Sequence, residues 1–280
     1  MHVGLIAVDL DGTVLRGNGA ISLATRRALA LARRHGATVC VATGRAPHAA
    51  RHYAQVLRAG GPLICLDGAL VLGSGDRPLV DRPLQAPELA AAVAVTEEVG
   101  GGWIALTRNG RVHGGPSRRP PQASLGQVLR YPGRSLRFFR SVWREDHRRS
   151  ARPPQEPVYK LLLWAPAGEA RAALERRVRR LPVHVPSPEG STMEVVAPGV
   201  SKGQALDVVA RHLRVSQAEV VAFGDARNDI EMLAFAGYGV AMGGAPAELL
   251  AVANAQTETV QKDGLAREIR RILGRYAPAG

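Results

Sequence analysis

Residues 3–13 read Val-Gly-Leu-Ile-Ala-Val-Asp-Leu-Asp-Gly-Thr, and how this stretch is read decides the fold. The apolar run 3–8 suits a short strand buried on both faces. It breaks at once into Asp9-Leu10-Asp11-Gly12-Thr13. Beyond this stretch, Ser22 is placed to N-cap a helix running to His35, with Leu23, Leu29 and Leu31 among its apolar positions and Gly36 as its stop. Residues 38–42 form a second β run, 47–57 a helix and 63–66 a third strand. Residues 69–72 and 79–80 flank a Gly-Ser-Gly-Asp turn, the pattern of a hairpin. The β-α-β-α-β order predicts a doubly wound α/β parallel sheet.

The chain has 280 residues, and 46% of them are hydrophobic. Its mean hydropathy is -0.06. An apolar share this high excludes disorder as the main state. No apolar run approaches the roughly 20 residues a membrane span needs, so membrane partners are not expected. No signal peptide is expected either, because the first apolar run leads directly into acidic residues. Cys40 and Cys65 each lie in an apolar stretch, which points to buried thiols and a cytoplasmic protein. The formal net charge is +13. Residues 108–152 hold twelve arginines and two acids, so this stretch carries +10 of it. The basic character is local.

Pro78, Pro83 and Pro87 punctuate an exit from the first sheet. A helix (88–99), a strand (103–107), the arginine-rich stretch, a strand (158–164), a helix (169–179) and a strand near Val183 follow. They predict a smaller α+β domain inserted into the first. From Met193 the α/β alternation resumes: strand 193–196, a helix from Ser201, strand 220–223, a helix from Asp229, strand 238–241, and helices 246–252 and 265–273. The expected division is therefore a core of 1–82 and 189–280 with an inserted domain of 83–188.

Four clusters carry chemistry. In a doubly wound sheet ligands bind outside the carboxyl ends of the strands, which is where Asp9 and Asp11 fall. Two carboxylates so close call for a cation or a shared proton. Thr43-Gly44-Arg45 ends a strand and opens a helix, a setting for phosphate; by itself it reads first as an N-cap beside an exposed arginine. Lys202 opens a helix, against the macrodipole unless an anion is near. Gly224-Asp225-Ala226-Arg227-Asn228-Asp229 places further carboxylates at a strand end. Mg2+ takes a few carboxylates together with substrate phosphate, and a phosphoryl group in transfer needs surrounding positive charge and an in-line nucleophile. The inventory suits phosphoryl transfer.

In this order the four motifs resemble the haloacid dehalogenase superfamily of phosphatases. The insertion, with Val158-Tyr159-Lys160 inside it, is similar to that of the Cof-type (subclass IIB) sugar-phosphatase branch, as are residues 194–202 and 240–243. The resemblance implies a Rossmann-like core and an inserted cap that selects substrate. It makes Asp9 the nucleophile that forms an aspartyl-phosphate and Asp11 the general acid and base. Thr43, Gly44, Arg45, Lys202 and Asn228 would serve phosphate or substrate. Mg2+ would bind the Asp9 carboxylate, the Asp11 carbonyl and Asp225, with Asp229 and Asn228 orienting the loop. The implied partner is a small phosphorylated metabolite, a sugar phosphate first. Asp67-Gly68-Ala69 and Met242-Gly243-Gly244-Ala245 depart from the branch pattern, which often has Asn in place of Asp67 and of Gly244. A phosphomutase or phosphotransferase is the nearest alternative. Another is an RNA or polyanion binder using the arginine-rich stretch, where Phe138, Phe139 and Trp143 sit among arginines; nucleic acid is the less favoured partner. A homo-oligomer stays open. His48 and His52 have a metal-like i, i+4 spacing but lack a third ligand nearby, and are read as an ordinary helix face.

Overall fold

In the computed structural model, which describes residues 2–109, 111–115, 147–149, 154–186 and 192–275, the chain forms two compact units. One comprises residues 1–80 and 201–280, the other residues 81–200. The first unit begins with β1 (Leu5–Val8), α1 (Leu23–Arg34), β2 (Thr38–Ala42), α2 (Pro47–Leu57), β3 (Leu63–Cys65), β4 (Leu70–Leu72) and β5 (Pro78–Asp81). Ser22 caps α1 as its sequence suggests, its Oγ accepting from the Thr25 amide at 3.0 Å.

The second unit contributes α3 (Ala86–Glu98), β6 (Gly102–Thr107), β7 (Arg111–Gly114), β8 (His147–Arg149), β9 (Val158–Trp164), α4 (Glu169–Val178) and β10 (Met193–Val195). Its sheet runs β10-β9-β6-β7-β8. Trp103, Leu163 and Met193 align across three strands on one buried face, while α3 packs on β6 and β9 and against α4. The strand at Met193–Val195 corrects the sequence reading, which placed it in the parallel core. Its antiparallel register with Leu161–Leu163 puts it in the smaller sheet. The strand expected near Val183 is reduced to a bridge between His184 and Val196. Most of the arginine-rich stretch, including Phe138, Phe139 and Trp143, lies outside the described residues, and with it the features behind the polyanion reading.

The chain then returns to the first unit through α5 (Lys202–Leu213), β11 (Val220–Gly224), α6 (Ile230–Phe235), β12 (Tyr238–Ala241), α7 (Ala247–Val252), β13 (Ala255–Gln256) and α8 (Gly264–Arg275). The large sheet has the order β13-β12-β11-β1-β2-β3-β4-β5. From β13 to β3 every neighbouring pair is parallel, and β4 turns back antiparallel. The unbroken apolar strands follow from burial on both faces. Ile6, Val8, Val41 and Phe223 point into a core with Leu29 of α1 and Ile269 of α8. Leu5, Ala7, Ala42 and Ala222 point into the opposite core with Leu206 of α5 and Leu233 of α6. The chain leaves β1 toward β2 on one side and later fills β11 and β12 on the other. This reversal makes the carboxyl end of β1 a topological switch point, where such sheets bind ligands.

Cys40 and Cys65 are free and buried, and burial pushes each thiol up to about 12. Among the described residues no helix is long and apolar enough to cross a membrane.

Candidate active site

Asp9 leaves β1 with its amide still in the ladder, donating to the Phe223 carbonyl at 3.0 Å. That bond fixes the backbone and aims the carboxylate past the end of the sheet. The residue is 5% exposed. Its Oδ1 accepts from Lys202 Nζ at 2.8 Å, the one side-chain donor that reaches this carboxylate among the described residues. Lys202 is the first residue of α5, whose N-cap Ser201 accepts from the Gln204 amide at 3.2 Å. The second partner of its ammonium is Asp229 Oδ1, at 2.7 Å. These two anions explain how a buried lysine is tolerated at a helix start.

Asp229 is fully buried. Its Oδ2 accepts from the backbone amides of Asp225 and Ala226, at 3.0 and 3.1 Å. One carboxylate therefore shapes the loop after β11 and braces the lysine. Asp225 accepts from the Thr13 hydroxyl at 3.1 Å, which ties that loop to the turn after β1. Gly12 makes the approach feasible: its φ is +90°, and a Cβ there would fall 2.0 Å from Asp225 Oδ2.

Asp11 faces Arg45, which donates through Nε to Oδ2 and through Nη2 to Oδ1, each at 2.7 Å. The guanidinium lies 5.2 Å from the centre of the Tyr53 ring, a cation–π contact that holds it from the other side. Thr43 is buried at the end of β2, and its hydroxyl accepts from the Arg45 amide at 3.2 Å across Gly44. Asn228 donates through Nδ2 to Asp67 Oδ1 at 2.9 Å. All nine residues singled out from the sequence thus lie in the first unit, on loops that follow β1, β2 and β11 or at the start of α5. Asp67 was read only as a departure from a pattern, and Tyr53 was not singled out. A carboxylate directly followed by glycine at a strand end was the available signal for Asp67.

The electrostatics follow from this crowding. Burial first, then the like charges of Asp229, Asp225 and Asp11, push the Asp9 carboxyl well above the usual carboxylate range against the pull of Lys202. Burial alone would lower Lys202, but Asp229, Asp9 and Asp67 outweigh it and hold the ammonium well above the ordinary lysine range. Asp9, Asp225 and Asp229 each offer a carboxylate oxygen within 4.8 Å of the others. Hard oxygen donors with an excess of negative charge suit a small divalent cation. Both Asp229 oxygens are already engaged by Lys202 and the loop amides, which leaves Asp9 and Asp225 as the carboxylates best disposed toward such an ion.

The model of the haloacid dehalogenase-like hydrolases matches residues 6–269. The chain belongs to that family. This bears out the resemblance read from the motifs. The chain is 31% identical over 254 residues to an HMP-PP phosphatase of Cronobacter sakazakii, covering 88% of this chain and 86% of that one. It is 25% identical over 277 residues to a 5-amino-6-(5-phospho-D-ribitylamino)uracil phosphatase of Bacillus subtilis, covering 95% and 96%. A solved sugar phosphatase of subclass IIB superposes with a TM-score of 0.78 at 21% identity, over 96% of this chain and 99% of that one. At that identity the likeness speaks for the fold, and it agrees with an α/β core carrying an inserted second unit.

Proposed function

We propose that this haloacid dehalogenase-like hydrolase is a Mg2+-dependent phosphatase of a small phosphorylated metabolite, with sugar phosphates the first class to test. The observation that carries the reading is the Asp9 carboxylate. It is buried at the switch point, its Oδ1 is held by Lys202 at 2.8 Å, and its other oxygen is left to act. Relatives named as phosphatases of phosphorylated metabolites support the substrate class.

In the proposed reaction Lys202 fixes the Asp9 carboxylate, so that Oδ2 attacks phosphorus as the ester P–O bond breaks. Asp11 gives its proton to the departing alkoxide. A water then attacks phosphorus of the aspartyl-phosphate, loses its proton to Asp11, and the P–O bond to Asp9 breaks to release phosphate and the free carboxylate. Arg45 holds Asp11 through both carboxylate oxygens, so Asp11 must part from it to accept or give the proton. Thr43 and Gly44, in the loop between β2 and α2, and Lys202, at the start of α5, receive phosphate oxygens. Mg2+ would be held by Asp9, Asp225 and the Asp11 carbonyl, and would supply charge neutralisation for the phosphoryl group. Asp229 keeps the Asp225 loop in shape.

Phosphate release from an aryl phosphate, with and without Mg2+, tests the reading in the wild type and Asp9→Asn. Turnover that needs Mg2+ and vanishes in the variant is expected. Turnover undiminished in Asp9→Asn refutes the assignment.

A further inference from the structure

The turn after β3 carries a feature that the proposed reaction does not use. Leu66, Asp67 and Gly68 have φ of +52°, +58° and +99°, three successive left-handed residues, two of them not glycine. Such backbone costs energy, and a bulky leucine there more than an aspartate. The turn is also fully packed, with Leu66 and Asp67 at 0% and 1% exposure. Gly68 lies so close to Ser201 that a Cβ would meet the Ser201 carbonyl oxygen at 2.3 Å. The backbone is pinned from two further points: the Leu66 amide donates to the Arg45 carbonyl at 3.0 Å, and the Asp67 amide donates to the Thr43 carbonyl at 3.2 Å. A strained segment held this firmly delivers one polar side chain, that of Asp67, among the phosphate-facing loops.

What Asp67 meets there is the side-chain amide of Asn228, at 2.9 Å and 161 residues away in sequence. An ionised carboxylate can only accept, so it settles which end of that amide turns toward it: Nδ2 faces Asp67. An apolar residue at this position would leave the amide free to turn over. Asp67 also contributes to holding Lys202 charged, so its carboxylate bears on two groups assigned to phosphate.

We propose that Asp67 is a positioning residue for phosphate recognition, acting through Asn228. Its carboxylate takes one N–H of the Asn228 amide and thereby presents the second to a phosphate oxygen. This rests on the phosphatase reading above and assigns a task to a residue outside the four motifs. The strain in the turn is the cost of bringing an acceptor to the one amide of the β11 loop that needs orienting.

A double-mutant cycle tests it, with Asp67→Ala, Asn228→Ala and the double variant. KM and kcat for an aryl phosphate are measured alongside Kd for inorganic phosphate by calorimetry, both with Mg2+ present. Each single variant is expected to raise KM and the phosphate Kd roughly tenfold with little change in kcat. The double variant should be no worse than Asn228→Ala alone, because both changes remove one unit. Asp67→Asn, which keeps an acceptor and tolerates the left-handed backbone, should recover binding to within about threefold of wild type. Additive effects, or a loss confined to thermal stability with KM and Kd unmoved, overturn the inference while leaving the phosphatase intact. A wild-type protein that neither binds phosphate nor turns over the ester overturns both.

Discussion

Lys202→Met removes the one cation that touches Asp9 among the described residues while roughly preserving side-chain volume, so its cost is mainly electrostatic. The lysine side chain is 0% exposed and those of its partners Asp9 and Asp229 are 7% and 0% exposed. Removing one member of a buried pair costs about 3–5 kcal/mol, because the remaining charge is stranded. Two carboxylates would be stranded here, with Asp225 beside them. At roughly 2–4 °C per kcal/mol for a chain of this size, the melting temperature should fall by about 6–20 °C at neutral pH. The sign of the pH dependence follows. In the variant the folded state binds a proton at Asp9 more tightly than the unfolded state does, so its stability falls as pH rises through the raised Asp9 carboxyl pKa. The deficit relative to wild type should therefore be widest near pH 7 and shrink toward pH 4. Calorimetric melts across that range in EDTA measure it. A deficit below about 1 kcal/mol, or one that does not vary with pH, would refute the placement of Lys202 as the buried counter-charge.

Asp9→Asn should do the opposite to stability while abolishing turnover. Burial and like charges disfavour the ionised Asp9, and Lys202 keeps Asp229 at 2.7 Å, so the variant should melt about 2–4 °C higher in EDTA at pH 7; a lower melting point contradicts this. Gly12→Ala introduces a Cβ 2.0 Å from Asp225 Oδ2 at a φ of +90°; it should cost about 2–4 kcal/mol and weaken Mg2+ binding by titration calorimetry, and an unchanged affinity would show that Asp225 is not displaced. Asp229→Asn weakens the bracing of the β11 loop and leaves Lys202 one anion short, so the amides of Asp225 and Ala226 should exchange hydrogen faster; unchanged protection would refute the bracing role.

The core was legible because its strands are short, apolar and buried on both faces, and the three strands that carry the site each end in a change from an apolar residue to an acid or a hydroxyl. Val8 to Asp9, Ala42 to Thr43 and Gly224 to Asp225 all show it. The same local logic misplaced Met193–Val195, since Met-Glu-Val reads alike in either sheet and only the pairing with Leu161–Leu163 assigns it. The strands β7 and β8 pair parallel across 32 intervening residues, a long-range choice that charge-rich sequence does not announce. Asp67 escaped for a different reason. Asp-Gly after a strand reads as an exposed turn, whereas this one is buried against Ser201 and reaches a partner 161 residues on.

Direct detection of the covalent intermediate tests the central claim most closely. The enzyme would be mixed with a phosphate ester and Mg2+, quenched in acid within the first turnover, and its peptides analysed by mass spectrometry. Phosphate bound to the peptide that contains Asp9, absent in Asp9→Asn, is the expected result. Rapid hydrolysis with the phosphoryl group on another residue, or retained in Asp9→Asn, would contradict the assignment of Asp9 as nucleophile.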